Sequence, residues 1–365
     1  MAQKVLILGG NFAGLNAALH VKHALEDDVD VTVISASDQF LFNPSLIWLP
    51  FGKRTPEDIT FPVAPTFEEH GVEFIHAAAT KIDPDAQLVT AAGKEYNYDY
   101  LIIATGYKNN MHVIPGLAEG NAVTITTLED AIKAGEAWRR FLDDPGDVVI
   151  GATQSAGCFG AAYEFLFNAS YQLKKAKLKK QVKLTYVSSE PFLGHFGIGG
   201  LPHGEGMLGM FLKKEKIDAI VDVGMESVLS DDKGYVKVRD TWQAENYDNV
   251  YAAGISAAVD VPWQTPTPTG LPKTGFPTEV MAQVAAQNVV HQIKGEPVTE
   301  HKEFADMKAI CVMDAGNNGV MILADKMLPP RKHSVMIPGP QNHAFKIGFE
   351  KYFLWKMKNG HVKLP

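Results

Sequence analysis

The segment KVLILGGNFAGLNAALHVKHAL, residues 4–25, constrains the fold more than any other part of the chain. An apolar run, a glycine turn and a helix-forming segment with small residues predict a strand, a tight turn and a helix. Gly9 permits the turn, and Gly14 lets the helix pack close to the sheet. The free N–H groups at the start of such a helix bind a pyrophosphate. The pattern therefore predicts a Rossmann-type dinucleotide-binding unit.

This first loop departs from the usual glycine fingerprint at two positions. Asn11 occupies the middle glycine position, although asparagine adopts left-handed backbone conformations more readily than most residues. The next strand, VDVTVISAS, ends at Ser35, where an acidic residue usually holds the ribose. Taken alone, the motif leaves dinucleotide binding open. Its candidate cofactor contacts are Gly9, Asn11, Phe12, Ala13, Gly14, Ser35 and Ala36.

Two later segments are typical of strands that return to the same sheet. NYDYLIIATG (residues 97–106) ends in Ala-Thr-Gly, and NVYAAGIS (residues 249–256) contains Ala-Gly at the end of its apolar run. Small residues there allow close approach of a cofactor to the backbone. The three segments are similar in kind and order to those of flavin-dependent disulfide-reductase-like proteins, which favours FAD as the cofactor. Further candidate contacts are Ala78, Ala104, Thr105, Gly106, Gly254, Ile255 and Lys273.

A second nucleotide-type loop, GATQSAG at residues 151–157, follows another apolar strand. Only Gly151 keeps its place in the G-x-G-x-x-G pattern, because Thr153 and Ala156 occupy the other two positions. Close approach of a pyrophosphate is therefore disfavoured. Cys158 comes next, near the start of a predicted helix whose N–H groups would stabilise a thiolate and depress the thiol pKa. A lone cysteine is more often buried and inert, but this position favours redox chemistry.

Length, charge and cysteine content bound the class of protein. The chain has 365 residues, enough for two domains, and a formal net charge of −8, which disfavours nonspecific nucleic-acid binding. Its two cysteines indicate a reducing compartment without a structural disulfide framework. No metal site is predicted. The predicted fold is α/β with two Rossmann-like domains: an FAD-binding domain over residues 1–115 and 246–310, an inserted domain over 116–245, and a C-terminal region over 311–365.

Five motifs in order resemble those of the sulfide:quinone oxidoreductases and, with gaps, span nearly the whole chain. They are GATQSAGCFGAAYEF, SSEPFLGHFGIGG, TPTPTGLPKTGF, AICVMDAGNNG and FEKYFLWKMKNG. The resemblance implies a monotopic membrane flavoprotein that oxidises sulfide to polysulfide and passes two electrons through FAD to quinone. It implies sulfide, quinone and the cytoplasmic surface of a membrane as partners, and it leaves homo-oligomer formation open.

The same resemblance gives roles to particular residues. Cys158 and Cys311 would form the redox pair, bridged directly or through sulfur in the resting enzyme. Sulfide would attack the bridge and leave a persulfide on one cysteine, while the other, as a thiolate, would deliver the electron pair to the flavin. His195 and Glu164 match a histidine and a carboxylate that could move protons, although His195 could equally be structural. Lys273 would offset charge on the reduced flavin or be a solvated lysine.

Three features depart from the family pattern. Thr126 stands where the best-known members carry a third cysteine, and Asp130 stands where a histidine is common, which bears on release of the sulfur chain. The stretch GMESVLSDDKGYVKV joins two regions that the family separates with further strands. The chain also stops at Pro365, where relatives usually continue into another amphipathic helix.

The C-terminal segment NHAFKIGFEKYFLWKMKNG, residues 342–360, predicts an amphipathic helix. Aromatic residues recur at helical spacing at Phe345, Phe349, Tyr352 and Phe353. The apolar surface is widened by Leu354, Trp355 and Met357 and interrupted by Lys346, Lys351, Lys356 and Lys358. Aromatic residues beside lysines favour a helix in the membrane interface, where quinone enters. The alternative is a helix packed on its own domain or on a partner chain.

Three other functions stay open at this point. An NADH:quinone oxidoreductase is disfavoured by the incomplete second glycine loop. An electron-transfer flavoprotein that docks a cytochrome would copurify with a haem protein and have a soluble C-terminus. A non-catalytic FAD-binding scaffold is the third.

Overall fold

The computed structural model describes residues 2–114, 117, 122–223 and 235–362. Its N-terminal part alternates strands and helices and then adds a small antiparallel sheet. The elements of this part, in chain order, are β1 (Gln3–Leu8), α1 (Phe12–Leu25), β2 (Val29–Ser35), β3 (Gln39–Leu41), α2 (Pro56–Ile59), β4 (Thr60–Pro62), α3 (Val63–Glu69), β5 (Glu73–His76), β6 (Ala79–Asp83), β7 (Leu88–Ala91), β8 (Lys94–Asn97) and β9 (Tyr100–Ile103).

The middle of the chain forms a second α/β unit, and the chain then returns to the first. The middle elements are α4 (Leu128–Asp143), β10 (Val148–Ala152), α5 (Phe159–Lys175), β11 (Leu184–Ser188), α6 (Gly204–Glu215) and β12 (Ile217–Ile220). The remaining elements are β13 (Val236–Lys237), β14 (Gln243–Ala244), β15 (Tyr247–Ala252), β16 (Ala257–Ala258), α7 (Gly275–Ile293), β17 (Ala309–Asp314), β18 (Gly319–Ala324), β19 (Ser334–Pro338) and α8 (Gln341–Lys358).

A six-stranded sheet in the order β14-β15-β9-β1-β2-β5 carries the first unit. All its pairs are parallel except that of β14 with β15. Its central strand β1 is an apolar run whose last four side chains are buried, as strands covered on both faces require. The predicted returning strands are β9 and β15, which pair with each other beside β1. The α/β fold predicted from the sequence is confirmed.

Close backbone contacts determine the shape of the first glycine loop. Gly9 has φ +104°, and a Cβ atom there would lie 2.3 Å from the carbonyl oxygen of Ala104. A Cβ atom on Gly14 would lie 1.8 Å from the Gly9 carbonyl oxygen, which confirms the predicted close packing of α1. Asn11 does not use its tolerance of left-handed conformations, since its φ is −96°. Its side chain instead donates to Asn43 and accepts from the N–H of Leu41.

The inserted unit contains a three-stranded parallel sheet in the order β10-β11-β12. Its strands lie between β9 and β15 in the chain, and Cys158 is the residue at the N-cap of α5. The exact domain boundaries stay predictions, and the boundary at 115/116 falls outside the described residues. The shortened stretch around Met225–Leu229 and the chain end at Pro365 also lie outside them.

An antiparallel sheet, β17-β18-β19, and the helix α8 form the C-terminal part. Two lysines of α8 differ from the sequence-based expectation of a lysine-interrupted outer surface. Lys346 and Lys356 are only 5% and 1% exposed, and they point inward to form ion pairs with Glu164 and Glu279. A buried ammonium group needs a counter-charge, and both are supplied by the helices beneath α8.

The outer face of α8 is aromatic. Four side chains are between 36% and 54% exposed: Phe345, Phe349, Tyr352 and Trp355. Phe353, predicted to belong to this surface, instead packs inward, with its ring 5.2 Å from that of Phe12 and 5.4 Å from that of Phe42. Met357 is fully buried. The helix therefore has a mixed charged and apolar inner face beneath an aromatic outer face.

We expect Gly14→Ala to lower the free energy of unfolding by about 1–3 kcal/mol, because overpacking against the Gly9 carbonyl forces the backbone to shift. Denaturant titration of the purified protein measures the change. Gly209→Ala is the matched control, since nothing lies within 4 Å of a Cβ atom on that α6 residue. The control should gain up to about 1 kcal/mol from helix propensity. Equal effects of the two substitutions would contradict the close approach at Gly14.

Candidate active site

One cavity of about 4050 Å³ joins the predicted cofactor residues to both cysteines. It is bordered by the carboxyl ends of strands in both parallel sheets, the place where α/β proteins bind ligands. Gly14 does not line it, because that residue supports the loop from behind. The predicted cofactor residues that line the cavity are Gly9, Asn11, Phe12, Ala13, Ser35, Ala36, Ala78, Ala104, Thr105, Gly106, Gly254, Ile255 and Lys273.

The shape of this cavity suits an extended dinucleotide. The N-terminal ends of α1 and α7 both open onto it, at Phe12 and Gly275, and each offers unpaired N–H groups to negative charge. Between them lie the small residues at the ends of β9 and β15, where a cofactor can approach the backbone closely. The residues present therefore fit FAD.

Lys273 lies in this cavity and is not a solvated surface lysine. Its Nζ atom donates to the carbonyl oxygen of Ala257 at 2.6 Å and to that of Ile255 at 3.3 Å. The ammonium group also lies 4.6 Å from the centre of the Tyr235 ring. These contacts fix a positive charge beside the cofactor segment at Gly254, as the role of offsetting negative charge requires.

The two cysteines line the same cavity from different elements. Cys158 lies at the N-cap of α5, and Cys311 lies in β17, which packs on α5. A Cβ atom on Gly160 would lie 3.9 Å from the Cys158 sulfur and 3.6 Å from that of Met313, so the start of α5 and β17 are in direct proximity. Both cysteines are free thiols in this structure.

Burial governs the acidity of both thiols. The pKa of Cys311 is raised to about 12, chiefly by burial and further by the negative charge of a Cys158 thiolate and of Glu164. Burial also raises the pKa of Cys158, although the N–H groups of Ala161 and Gly160 oppose it. The predicted depression of the Cys158 pKa by the helix terminus is therefore wrong. The N–H groups are present, but the loss of hydration outweighs them.

Glu164, predicted as a proton-transfer residue, lies in the cavity wall and is 6% exposed. Its carboxylate pairs with the ammonium of Lys346 and accepts the N–H of Asp314 at 2.8 Å. Burial raises the pKa of Glu164 to about 7, and the positive charge of Lys346 limits the rise. A carboxyl group with that pKa gains and loses a proton near neutral pH, which suits acid–base chemistry.

Lys346 is a functional candidate that the sequence interpretation missed. It lines the cavity beside the Glu164 carboxylate, and its positive charge lowers the pKa of both thiols. The segment had assigned it to a membrane-facing surface. Its spacing of four residues before Glu350, also buried, was the available signal of a charged inner face.

His195 does not line the cavity. Its ring is 4% exposed and lies against Trp263, with ring centres 4.8 Å apart, and against Phe192 at 5.3 Å. Burial and the nearby positive charge of Arg331 lower the pKa of His195 to about 4. The imidazole is therefore neutral at neutral pH and reaches the cavity only through Trp263, which does line it. Its catalytic role stays a prediction.

The second glycine-type loop is covered by the chain itself. The N–H of Ser155 donates to the carbonyl oxygen of Pro268 at 2.7 Å. A Cβ atom on Gly270 would lie 2.7 Å from the carbonyl oxygen of Ala156, so the two backbones touch. A backbone N–H group that a pyrophosphate would use is thus already bonded within the protein.

Comparison with known proteins agrees with these observations. Residues 3–197 match the Pyridine nucleotide-disulphide oxidoreductase family. The sulfide-quinone reductase of Aquifex aeolicus is 34% identical over 407 aligned positions, covering 99% of this chain and 93% of that enzyme. A crystal structure of the sulfide:quinone oxidoreductase from Aquifex aeolicus superposes with a TM-score of 0.93 at 33% identity, covering 99% of this chain and 92% of that one. The chain belongs to the sulfide:quinone oxidoreductase family.

FAD is therefore confirmed as the cofactor of this flavoprotein, as the three sheet segments predicted. Type II NADH:quinone oxidoreductase of Staphylococcus aureus is only 24% identical, over 95% of this chain and 96% of that enzyme, so that likeness shows the fold alone. The alignment with the Aquifex aeolicus enzyme spans 407 positions, more than the 365 residues of this chain. Relatives therefore carry segments that this sulfide:quinone oxidoreductase family member lacks.

We expect Lys346→Met to raise the pKa of Glu164 above its value of about 7, because the cation that stabilises the carboxylate is removed. Infrared difference spectra across a pH titration measure the protonated carboxyl group, and Glu164→Gln assigns the band. Lys351→Met is the control, since Lys351 is an exposed lysine on the same helix. An unchanged midpoint in Lys346→Met would show that the pair does not set the acidity of Glu164.

Proposed function

We propose that this flavoprotein oxidises sulfide through Cys158 and Cys311 and passes the electrons through FAD to quinone. The observation that carries the proposal is the convergence of the two cysteines, from α5 and from β17, in the cavity that contains the FAD-contact residues. Two thiols are needed, because one must hold sulfur while the other releases the electron pair.

The proposed sulfur chemistry starts from a Cys158–Cys311 disulfide. Hydrosulfide attacks the Cys158 sulfur, a new sulfur–sulfur bond forms there, and the Cys311 sulfur leaves as a thiolate with the electron pair of the broken bond. Lys346 stabilises that thiolate, since its ammonium lowers the pKa of Cys311. The proton of the new persulfide passes to Glu164, whose pKa of about 7 matches neutral pH. FAD supplies the two-electron acceptor between sulfur and quinone.

An apolar mouth of the same cavity fits a quinone. Ile310, next to Cys311, is 47% exposed, and Phe345 and Phe349 of α8 are 50% and 36% exposed. All three line the cavity, with Tyr352 beside them. Exposed aromatic and branched side chains around an opening offer flat contacts for an apolar ring. Quinone would therefore enter between α8 and β17, on the Cys311 side of the cavity.

The aromatic face of α8 supports contact with a membrane surface. Among the residues that the structure describes, no helix is long and apolar enough to cross a bilayer. Phe345, Phe349, Tyr352 and Trp355 form an exposed aromatic row, a feature of helices that lie in the interfacial region. Because the same helix borders the apolar mouth, docking there would give a lipid-soluble quinone a short path. Binding on the cytoplasmic side and homo-oligomer formation stay predictions.

We expect Cys158→Ser and Cys311→Ser each to abolish flavin bleaching by sulfide under anaerobic conditions, because neither thiol completes the relay alone. Stopped-flow absorbance of the oxidised flavin measures the reaction, and the FAD content of each variant should equal that of the wild type. NADH at the same concentration should leave the flavin oxidised, since the second glycine loop is covered by residues 268–270. Near-normal bleaching by sulfide in either serine variant would refute the cysteine pair.

We expect Phe345→Ser/Tyr352→Ser/Trp355→Ser to reduce binding to phosphatidylcholine–phosphatidylglycerol vesicles by at least about tenfold, since three interfacial aromatic anchors are lost. Cosedimentation measures the bound fraction. Sulfide-dependent bleaching of the flavin in detergent should persist, because these side chains do not contact the cysteines. Ile220→Ser, at an exposed apolar residue of the inserted sheet, is the control. Equal vesicle binding by wild type and triple variant would place any membrane contact elsewhere.

A further inference from the structure

A group of four polar side chains in the cavity wall is not used by the chemistry described so far. This polar cluster consists of Tyr107, Asn109, Thr124 and Thr126, from the segments that follow β9 and precede α4. All four line the cavity that contains Cys158. Thr126 is the residue at the position of the third cysteine of the best-known relatives, so the cluster occupies a place near the sulfur chemistry.

The hydrogen bonds in the cluster decide the direction of its protons. The Thr126 hydroxyl oxygen accepts from the side-chain amide of Asn109 and from the Thr124 hydroxyl at 3.3 Å. A hydroxyl group has two acceptor sites and one donor. With both acceptor sites used, the Thr126 proton must be donated, and the side chain bonded to it is Tyr107. The phenol oxygen of Tyr107 thus accepts from Thr126, and its own proton is available to another acceptor.

Several charges identify where that phenol proton is directed. Burial raises the pKa of Tyr107, the hydrogen bond from Thr126 lowers it as a donor should, and the charge of a Cys158 thiolate raises it again. The remaining titratable groups that influence it are Asp130 and Tyr235. Tyr107 is therefore a protonated phenol, 43% exposed, within electrostatic range of the Cys158 sulfur. An anionic sulfur beside Cys158 is the acceptor that this cavity would bring to it.

We propose that Tyr107 donates a hydrogen bond to the anionic sulfur of the persulfide on Cys158, and that Thr126 is a positioning residue that orients the phenol. The inference rests on the proposed function, since it assumes that sulfur is held on Cys158. No bond is made or broken by Tyr107, which stabilises the persulfide as its anion. Hydrogen bonds to charged groups are about twice as strong as those between neutral groups.

The decisive variant is Tyr107→Phe, which removes the donor and keeps the ring. The persulfide on Cys158 is formed with one equivalent of sulfide and alkylated with iodoacetamide between pH 5 and 8, and mass spectrometry measures the rate. Loss of the donor disfavours the anion, so alkylation at a given pH in this range should slow by about tenfold to a hundredfold. Thr126→Val should show a smaller change in the same direction, and Thr126→Ser should restore the wild-type rate.

Tyr235→Phe is the control, because it removes another phenol from the wall of the same cavity. Its alkylation profile should match that of the wild type, and quinone should reoxidise the flavin at the same rate in all variants. Identical profiles for Tyr107→Phe and Tyr235→Phe would overturn the proposed role of Tyr107 while leaving the sulfide chemistry intact. If sulfide formed no persulfide on Cys158 in the wild type, the proposed function would fail, and this proposal would fail with it.

Discussion

The buried ion pair between Lys346 and Glu164 is the interaction on which the rest of the site depends. Both side chains are at most 6% exposed, and removing either would leave an uncompensated charge in the protein interior. The pair connects α8 to α5, so it fixes the distance between the helix at the cavity mouth and the helix that carries Cys158. It also sets the local electrostatics, because the ammonium opposes the rise in pKa that burial imposes on both thiols and on Glu164.

Two further buried pairs repeat this arrangement along α8. Glu350 accepts the Nε–H of Arg54 at 2.9 Å, and both oxygens of Glu279 accept from Lys356 at 3.0 and 3.1 Å. An apolar inner face would bind the domain equally well, but it would tolerate a shift in register. Charged pairs at three levels are lost together if the helix rotates or slides. They therefore hold the aromatic residues outward, although exposed aromatic rings would otherwise favour burial.

The sequence predicted the first sheet well because its signals are local. An apolar strand, Gly9 and the small residues of α1 are contiguous, and close backbone contacts at Gly14 follow from residue size alone. The role of α8 could not be read in the same way, since its pattern does not reveal that Lys346 faces a carboxylate contributed by a distant helix. The acidity of Cys158 was mispredicted for a related reason. A helix terminus is visible in the sequence, whereas the loss of hydration depends on elements packed from elsewhere in the chain.

The inserted unit has kept the geometry of a nucleotide-binding domain while its loop contacts a different part of the chain. Parallel strands still direct the loop after β10 toward the cavity, and α5 still begins there. The N–H of Ser155, however, is bonded to Pro268, and Gly270 lies against the same loop. A loop held by backbone contacts is rigid, which is of little use for admitting a dinucleotide but helps to hold a thiol in place. The position that a pyrophosphate would occupy in a relative thus becomes a fixed support for Cys158, facing the cysteine on β17.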